Sequence, residues 1–307
     1  MPNFKQPEFT TQTGSAYKAA IDVSIASLAS TQQHLLVRRW TARAAAEANE
    51  WRAVIWMPFN NASTERGLFV AIASTGTNRS MTSPDGETWT ARAAAEANEW
   101  RALAYSPAMG VNGGLVAVAS TGTNRVMTTT NGTSWTARAA AEANSWRSVA
   151  YAPSLGRFAA VASDGTNRVM TSPDGITWTP RAAANAHPWQ SIVWAVGISK
   201  FVAVANGGSL NQVMTSANGT NWTAASVPEG TASLEAVGYA ADIGLVVAVG
   251  SSGNNRVFSS PTAGNAGTWR NRLAAELNTW TSICWSPEYA RFVAVSSDGT
   301  NRVMHSL

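Results

Sequence analysis

The chain has 307 residues and a formal charge of +4, and only 13% of its residues are charged, against about 25% in an ordinary soluble domain. Arginine supplies 19 of the 22 cations and recurs within a repeat; the basic excess is therefore duplicated structure rather than a basic stripe, and nucleic-acid binding is not expected. A single cysteine, Cys284, excludes an intrachain disulfide, and no apolar run has the length of a leader peptide or of a membrane span of about 20 residues.

Residues 1–36 stand outside the repeat. Tyr17, Ile21, Ile25 and Leu28 recur at helical spacing behind Gly14–Ser15, which predicts a short amphipathic helix over about 15–30 with Ser15 as its N-cap. Its apolar stripe is a candidate attachment surface, although the helix could equally pack on the rim of the domain that follows. The run FTTQTGSAYKAAIDVSIASLA (9–29) resembles the leading segments of bacteriophage tail and tail-fibre proteins, where a similar run precedes a variable distal module. The resemblance implies a virion component that meets other virion proteins through this segment.

From residue 37 to residue 307 the chain repeats. TARAAAEANEWRA occurs verbatim at 41–53 and 90–102, nearly so at 136–148, and in degraded form at 179–191 and 270–282. Trp40, Trp89, Trp135, Trp178, Trp222 and Trp269 pace six copies at intervals of 49, 46, 43, 44 and 47 residues. A period of about 40–50 residues with strand-like content predicts a β-propeller. The expected fold is therefore all-β: six blades of four strands over 37–307, preceded by the attachment segment 1–36.

The second repeat shows the plan. WRALAYSP (100–107), GGLVAVAS (113–120), TNRVMTT (123–129) and TSWTAR (133–138) read as strands A to D, innermost first. The sixth repeat stops after its third strand, whereas RRWTAR (38–43) is a fourth strand with no blade before it. Residues 37–43 are therefore expected to complete the last blade and close the ring three-plus-one, which removes its open edges.

Strands C and D are joined by SPDG (83–86 and 172–175), TTNG (129–132) and SANG (216–219). Asp-Gly or Asn-Gly here predicts a two-residue type I′ turn. SPDGETW, SPDGITW and SANGTNW resemble the Asp-box of sialidase-like propellers, shortened by one residue between Asp and Gly. In that family the box stabilises the fold away from the active site. The resemblance implies that Ser83, Asp85 and Trp89 brace the turn and fill the gap between sheets.

The D-to-A and B-to-C loops of a propeller share one face. Here that face is a near-symmetric rosette of ARAAAEAN and TGTNR or DGTNR segments. Glu47, Glu96, Glu142 and Glu276 accompany Arg79, Arg125, Arg168 and Arg302 in the same blades, and in the fourth blade both charges vanish together, as Asn185 and Gln212. The covariation predicts four Glu–Arg pairs holding the two loops together; Arg52, Arg101 and Arg147 are competing partners. The rosette also supplies a candidate binding set: Asn78, Arg79, Asn124, Arg125, Asn167, Arg168, Asn301 and Arg302 could hydrogen-bond a glycan or a receptor. Trp56, Tyr105, Tyr151, Trp194, Tyr239 and Trp285 share one strand A position and read as packing between blades.

His34, His187 and His305 have no metal-ligand spacing, and no phosphate loop or Cys–His arrangement is present. The sialidase arginine triad, Tyr–Glu pair and acid Asp have no counterpart. No enzyme activity, metal or cofactor is expected. The reading is a phage virion protein, tail-associated or head-decorating, with a structural or host-adsorption role. The virion, assembled in the host cytoplasm, is its expected location, without membrane insertion. A free glycan-binding lectin is the alternative, and a sialidase-like glycosidase a weaker one.

Overall fold

The structure is a computed structural model that describes residues 41–58, 67–207, 210–228, 232–263 and 267–306. The chain divides into two units, 1–43 and 44–307. In the first, only Thr41–Arg43 are described, exposed and outside any strand. The expected helix with its stripe, and most of the closing strand 37–43, lie outside the described residues.

The second unit is a six-bladed, all-β propeller of antiparallel sheets. The first blade comprises β1 (Trp51–Met57), β2 (Leu68–Ala73), β3 (Ser80–Ser83) and β4 (Thr90–Arg92); the second comprises β5 (Trp100–Ser106), β6 (Gly114–Ala119), β7 (Val126–Thr129) and β8 (Thr136–Arg138). The third follows with β9 (Trp146–Ala152), β10 (Arg157–Ala162), β11 (Val169–Ser172) and β12 (Thr179–Arg181), and the fourth with β13 (Trp189–Ala195), β14 (Lys200–Ala205), β15 (Val213–Ser216) and β16 (Thr223–Ala225). The fifth has β17 (Leu234–Ala240), β18 (Leu245–Gly250), β19 (Val257–Ser260) and β20 (Arg270–Arg272). In the sixth, β21 (Trp280–Ser286), β22 (Arg291–Ser296) and β23 (Val303–His305) form a sheet with no fourth strand among the described residues.

The second strand of each inner blade is a Val/Ala run buried on both faces, as β6 and β10 show; small β-branched side chains let neighbouring sheets stack closely. The first strands of successive blades pack on one another in chain order, from β1 to β21, which makes them the innermost. Trp100, Trp146, Trp189 and Trp280 open these strands and are fully buried. Each is followed by a register shift that leaves the next residue unpaired, as between Trp100 and Ala102. Such a bulge turns the extra side chain away from the ladder, and Arg52, Arg101 and Arg147 occupy it.

The turn between third and fourth strands differs from the expected type I′. Of its Asp-Gly pair only the glycine has positive φ, 76° at Gly86 and 73° at Gly175, and six residues separate β3 from β4. The aspartate is held otherwise: Ser83 Oγ donates to Asp85 at 2.9 Å, while the amides of Glu87 and Thr88 donate to the same carboxylate. Those amide bonds, led by that from Thr88, hold the Asp85 carboxyl below its ordinary range. Trp178 and Trp269 then reach between their own blade and the preceding one. The shared aromatic position behaves similarly. In four blades its ring rests on the phenylalanine of the adjacent strand, 4.7 Å apart for Tyr151 and Phe158, while Tyr105 and Tyr239 stand opposite Leu115 and Val246. In three blades the polar tip meets the previous A-to-B loop: Tyr105 donates to the Pro58 carbonyl, Tyr239 accepts from the Gly197 amide, and Trp285 donates to Asp242.

Candidate functional site: a rosette of clamped loops

The two loops of the rosette face meet through the carboxylates of Glu47, Glu96, Glu142 and Glu276. The expected Glu–Arg pairs do not form. Glu96 accepts from the backbone amide of Asn124 at 3.0 Å and from its side-chain amide at 2.5 Å. Asn98 donates to the same carboxylate at 3.0 Å and to the Asn124 carbonyl at 2.7 Å. Glu47 with Asn78 and Asn49, Glu142 with Asn167 and Asn144, and Glu276 with Asn301 and Asn278 repeat this clamp. The glutamate carbonyl accepts from the first-strand tryptophan, as Trp100 Nε1 does at 3.1 Å, so the loop is fixed to the core as well.

The physical reason is reach. An asparagine preceding the arginine offers its main-chain and side-chain N–H together, a fork that satisfies both carboxylate oxygens. The arginine instead folds onto its own loop: Arg125 donates to the carbonyls of Gly122 and Ser120 at 3.0 and 3.2 Å, and Arg79 and Arg168 do likewise. In the fourth blade Asn185 retains one link, to the Asn211 carbonyl at 3.0 Å. The covariation therefore reported membership of one loop motif rather than an ion pair.

Hydrogen bonds from Asn167 lead the causes that lower the Glu142 carboxyl, and those from Asn78 and Asn301 do so for Glu47 and Glu276. For Glu96 burial pushes upward, but the Asn124 and Asn98 bonds outweigh it. These are carboxylates held ionised, the opposite of a general acid prepared at neutral pH.

Ion pairs form one step along the chain, between residues two apart. Arg52 meets Glu50, and Arg101 meets Glu99, each at 2.5 Å, with Ser74 and Ser120 also bonded to the arginines. In the third blade Ser145 stands where Glu50 and Glu99 stand, so Arg147 keeps its bond to Ser163 at 3.0 Å and no salt bridge. Among the described residues no group of three or more His, Cys, Asp or Glu could hold a metal ion. No helix among them is long and apolar enough to cross a membrane.

No family model and no curated protein matches this chain. Solved structures share its fold at low identity. The virginiamycin B lyase of Staphylococcus aureus is 11% identical, with a TM-score of 0.63 over 79% of this chain and 77% of that one. A streptogramin B lyase is 12% identical, with a TM-score of 0.62 over 84% and 88%. A GH74 enzyme of Niastella koreensis is 17% identical, with a TM-score of 0.57 over 85% of this chain and 36% of that one.

Proposed function

We propose that this protein is a non-enzymatic component of a bacteriophage virion, a rigid propeller with a structural or host-adsorption role. The observation that carries the reading is the use made of the rosette carboxylates. Glu47, Glu96, Glu142 and Glu276 are each spent on clamping a loop, which favours presentation of a surface over acid–base chemistry. What the clamps present is a repeated set of guanidinium groups. Arg79 and Arg125 each place two bonds on loop carbonyls out of five donors; the remainder suit a multivalent glycan or a receptor on the host surface.

The likeness of residues 9–29 to phage tail segments supports the location, with Tyr17, Ile21, Ile25 and Leu28 as the attachment stripe toward other virion proteins. The turn at Ser83, Asp85 and Trp89 is read as a shortened Asp-box, and residues 37–43 as the fourth strand of the sixth blade. Localisation of the chain in purified particles tests the reading directly. Deleting residues 1–34 should leave a folded propeller that no longer enters the particle. Absence of the protein from particles, or unchanged incorporation after the deletion, would count against the proposal.

A further inference from the structure

The bulged second residue of the innermost strand is, in successive blades, Arg52, Arg101, Arg147, Gln190, Glu235 and Thr281. The first strands pack side by side around the propeller axis, so these residues form a polar collar at the rosette end of the central channel. Its charges are paired in the first two blades and not in the third. Arg52 and Arg101 each meet a carboxylate two residues earlier, Glu50 and Glu99, and each also bonds a serine through Nε. Arg147 keeps the serine bond, to Ser163 at 3.0 Å, but Ser145 stands in place of the glutamate.

Asp164 does not fill that place, because its two oxygens are taken by the amide and hydroxyl of Ser145. Among the described residues no carboxylate lies within ion-pair distance of Arg147, and one of its five donors is in use. Burial first, and the positive charge of Arg101 second, lower the Arg147 guanidinium from its ordinary range, against the pull of Asp164, Glu99 and Glu235. A half-buried cation beside a like charge is stabilised by an anion delivered to it. Glu235 is the converse case on the fifth blade. It accepts from Asn206 and Ser251, each at 2.6 Å and both on Oε1, and no cation pairs with it among the described residues.

We propose that the collar binds a small hydroxylated carboxylate, in chemical class an acidic sugar, whose carboxylate takes on Arg147 the place that Glu99 takes on Arg101, with its hydroxyls toward Gln190 and Glu235. The repeat itself specifies the anion, since the equivalent arginine of two neighbouring blades holds a singly charged carboxylate. A doubly charged phosphate would be repelled by Glu235 and Asp164. The acceptor oxygens of Gln190 and Glu235 suit hydroxyl donors. This site is distinct from the loop arginines Arg79 and Arg125, and the inference holds whether or not the protein belongs to a virion.

Calorimetric titration of the full chain with glucuronate, and with glucose as the uncharged control, tests the proposal. Glucuronate should bind with a Kd of roughly a millimolar, as one ion pair with a few hydrogen bonds gives, and glucose should not bind. Arg147→Gln should weaken glucuronate at least about tenfold, the loss of a charge-assisted bond. The pair Ser145→Glu and Asp164→Thr keeps Arg147 and supplies its carboxylate from within the chain, as Glu99 does for Arg101. It should abolish glucuronate binding in a protein whose melting temperature shows that it is folded. Glu235→Ala should also weaken glucuronate, and an unchanged affinity there would overturn the hydroxyl contact. No heat from glucuronate, equal binding of glucose, or undiminished binding to the Ser145→Glu, Asp164→Thr protein would each overturn the site. None of these results depends on particle localisation, so the virion role stands or falls separately.

Discussion

Asp164 accepts two hydrogen bonds from Ser145, at 2.6 Å from its amide and 2.8 Å from its hydroxyl, and so ties the third blade's B-to-C loop to its D-to-A loop. Asp298 and Thr279 repeat the arrangement in the sixth blade. In the first two blades the carboxylate sits on the opposite loop. Glu50 and Glu99 donate their backbone amides to Thr75 and Thr121, at 2.9 and 3.1 Å, and give their carboxylates to Arg52 and Arg101. Each of these four junctions holds one carboxylate, on one side or the other. Two would repel at contact distance, and with neither, the amide or the arginine would lose an ionised partner.

The exchange should be transferable. Ser145→Glu alone places a second carboxylate beside Asp164 and is expected to destabilise the protein by about 1 kcal/mol. Combined with Asp164→Thr it should recover most of that loss and supply Arg147 with the carboxylate it lacks. A coupling of about 0.5–3 kcal/mol in a double-mutant cycle from urea melts is the expected signature. Additive effects would mean that the two loops do not sense each other.

Acid should loosen the rosette. The carboxyls of Glu47, Glu142 and Glu276 are lowered in the folded protein chiefly by their asparagine bonds. A depressed folded pKa stabilises above the unfolded pKa, about 4.3 for Glu, and that stability is lost as pH falls through the folded value. Thermal stability should therefore be level above about pH 5 and decline below about pH 4. Glu142→Gln should be less stable at neutral pH and show a shallower acid decline. A variant with an unshifted acid limb would remove the clamp from the titration.

Much of the fold was legible because duplication wrote it several times. Strand order, the buried Val/Ala second strand and the tryptophan spacing each follow from side-chain period and repeat length. Hydrogen-bond partners were less legible. Glu96 and Arg125 covary, yet the choice between Arg125 and Asn124 is decided by which donor reaches the carboxylate first, and neighbours in sequence covary alike. The exchange between Ser145–Asp164 and Glu99–Thr121 was present in the letters too. It spans two loops separated by a pair of strands, and becomes visible only once register sets them side by side. The turn after β3 misled for a local reason: Asp-Gly marks a turn, but whether the aspartate enters the left-handed region depends on Ser83 capturing the next amides.

Glycine in the TGTN and DGTN loops is fixed by the clamp. At Gly122, φ is +97° and an added Cβ would stand 1.8 Å from Asn98 Oδ1. Asn98 is buried and bridges Glu96 to Asn124. Gly122→Ala should therefore cost roughly 3 kcal/mol, combining backbone strain with a displaced, buried amide. Gly156 offers the control: its φ is +54° and nothing lies within 4 Å of an added Cβ. Gly156→Ala should cost only about 1 kcal/mol, the conformational term alone. Equal losses in chemical denaturation would show that the clamp does not depend on the glycine.

The tryptophans that precede the fourth strands should behave as interblade keystones rather than as ligand contacts. Trp178 is 8% exposed, donates to the Gly175 carbonyl at 3.0 Å, and packs among Val116 and Val118 of one blade and Phe158 and Met170 of the next. Trp178→Ala removes contacts to two sheets at once and opens a cavity that rigid strands cannot collapse into, so a loss of about 3–5 kcal/mol is expected. Trp56 is 41% exposed and meets Phe69 edge-on at 4.7 Å; Trp56→Ala should cost about 1 kcal/mol, the value of an aromatic pair with partial burial. Urea melts of the two variants measure the difference. If Trp178→Ala were no more costly than Trp56→Ala, the indole would not be holding the blades together. The homologous positions Trp135, Trp222 and Trp269 would then lose their assignment as core.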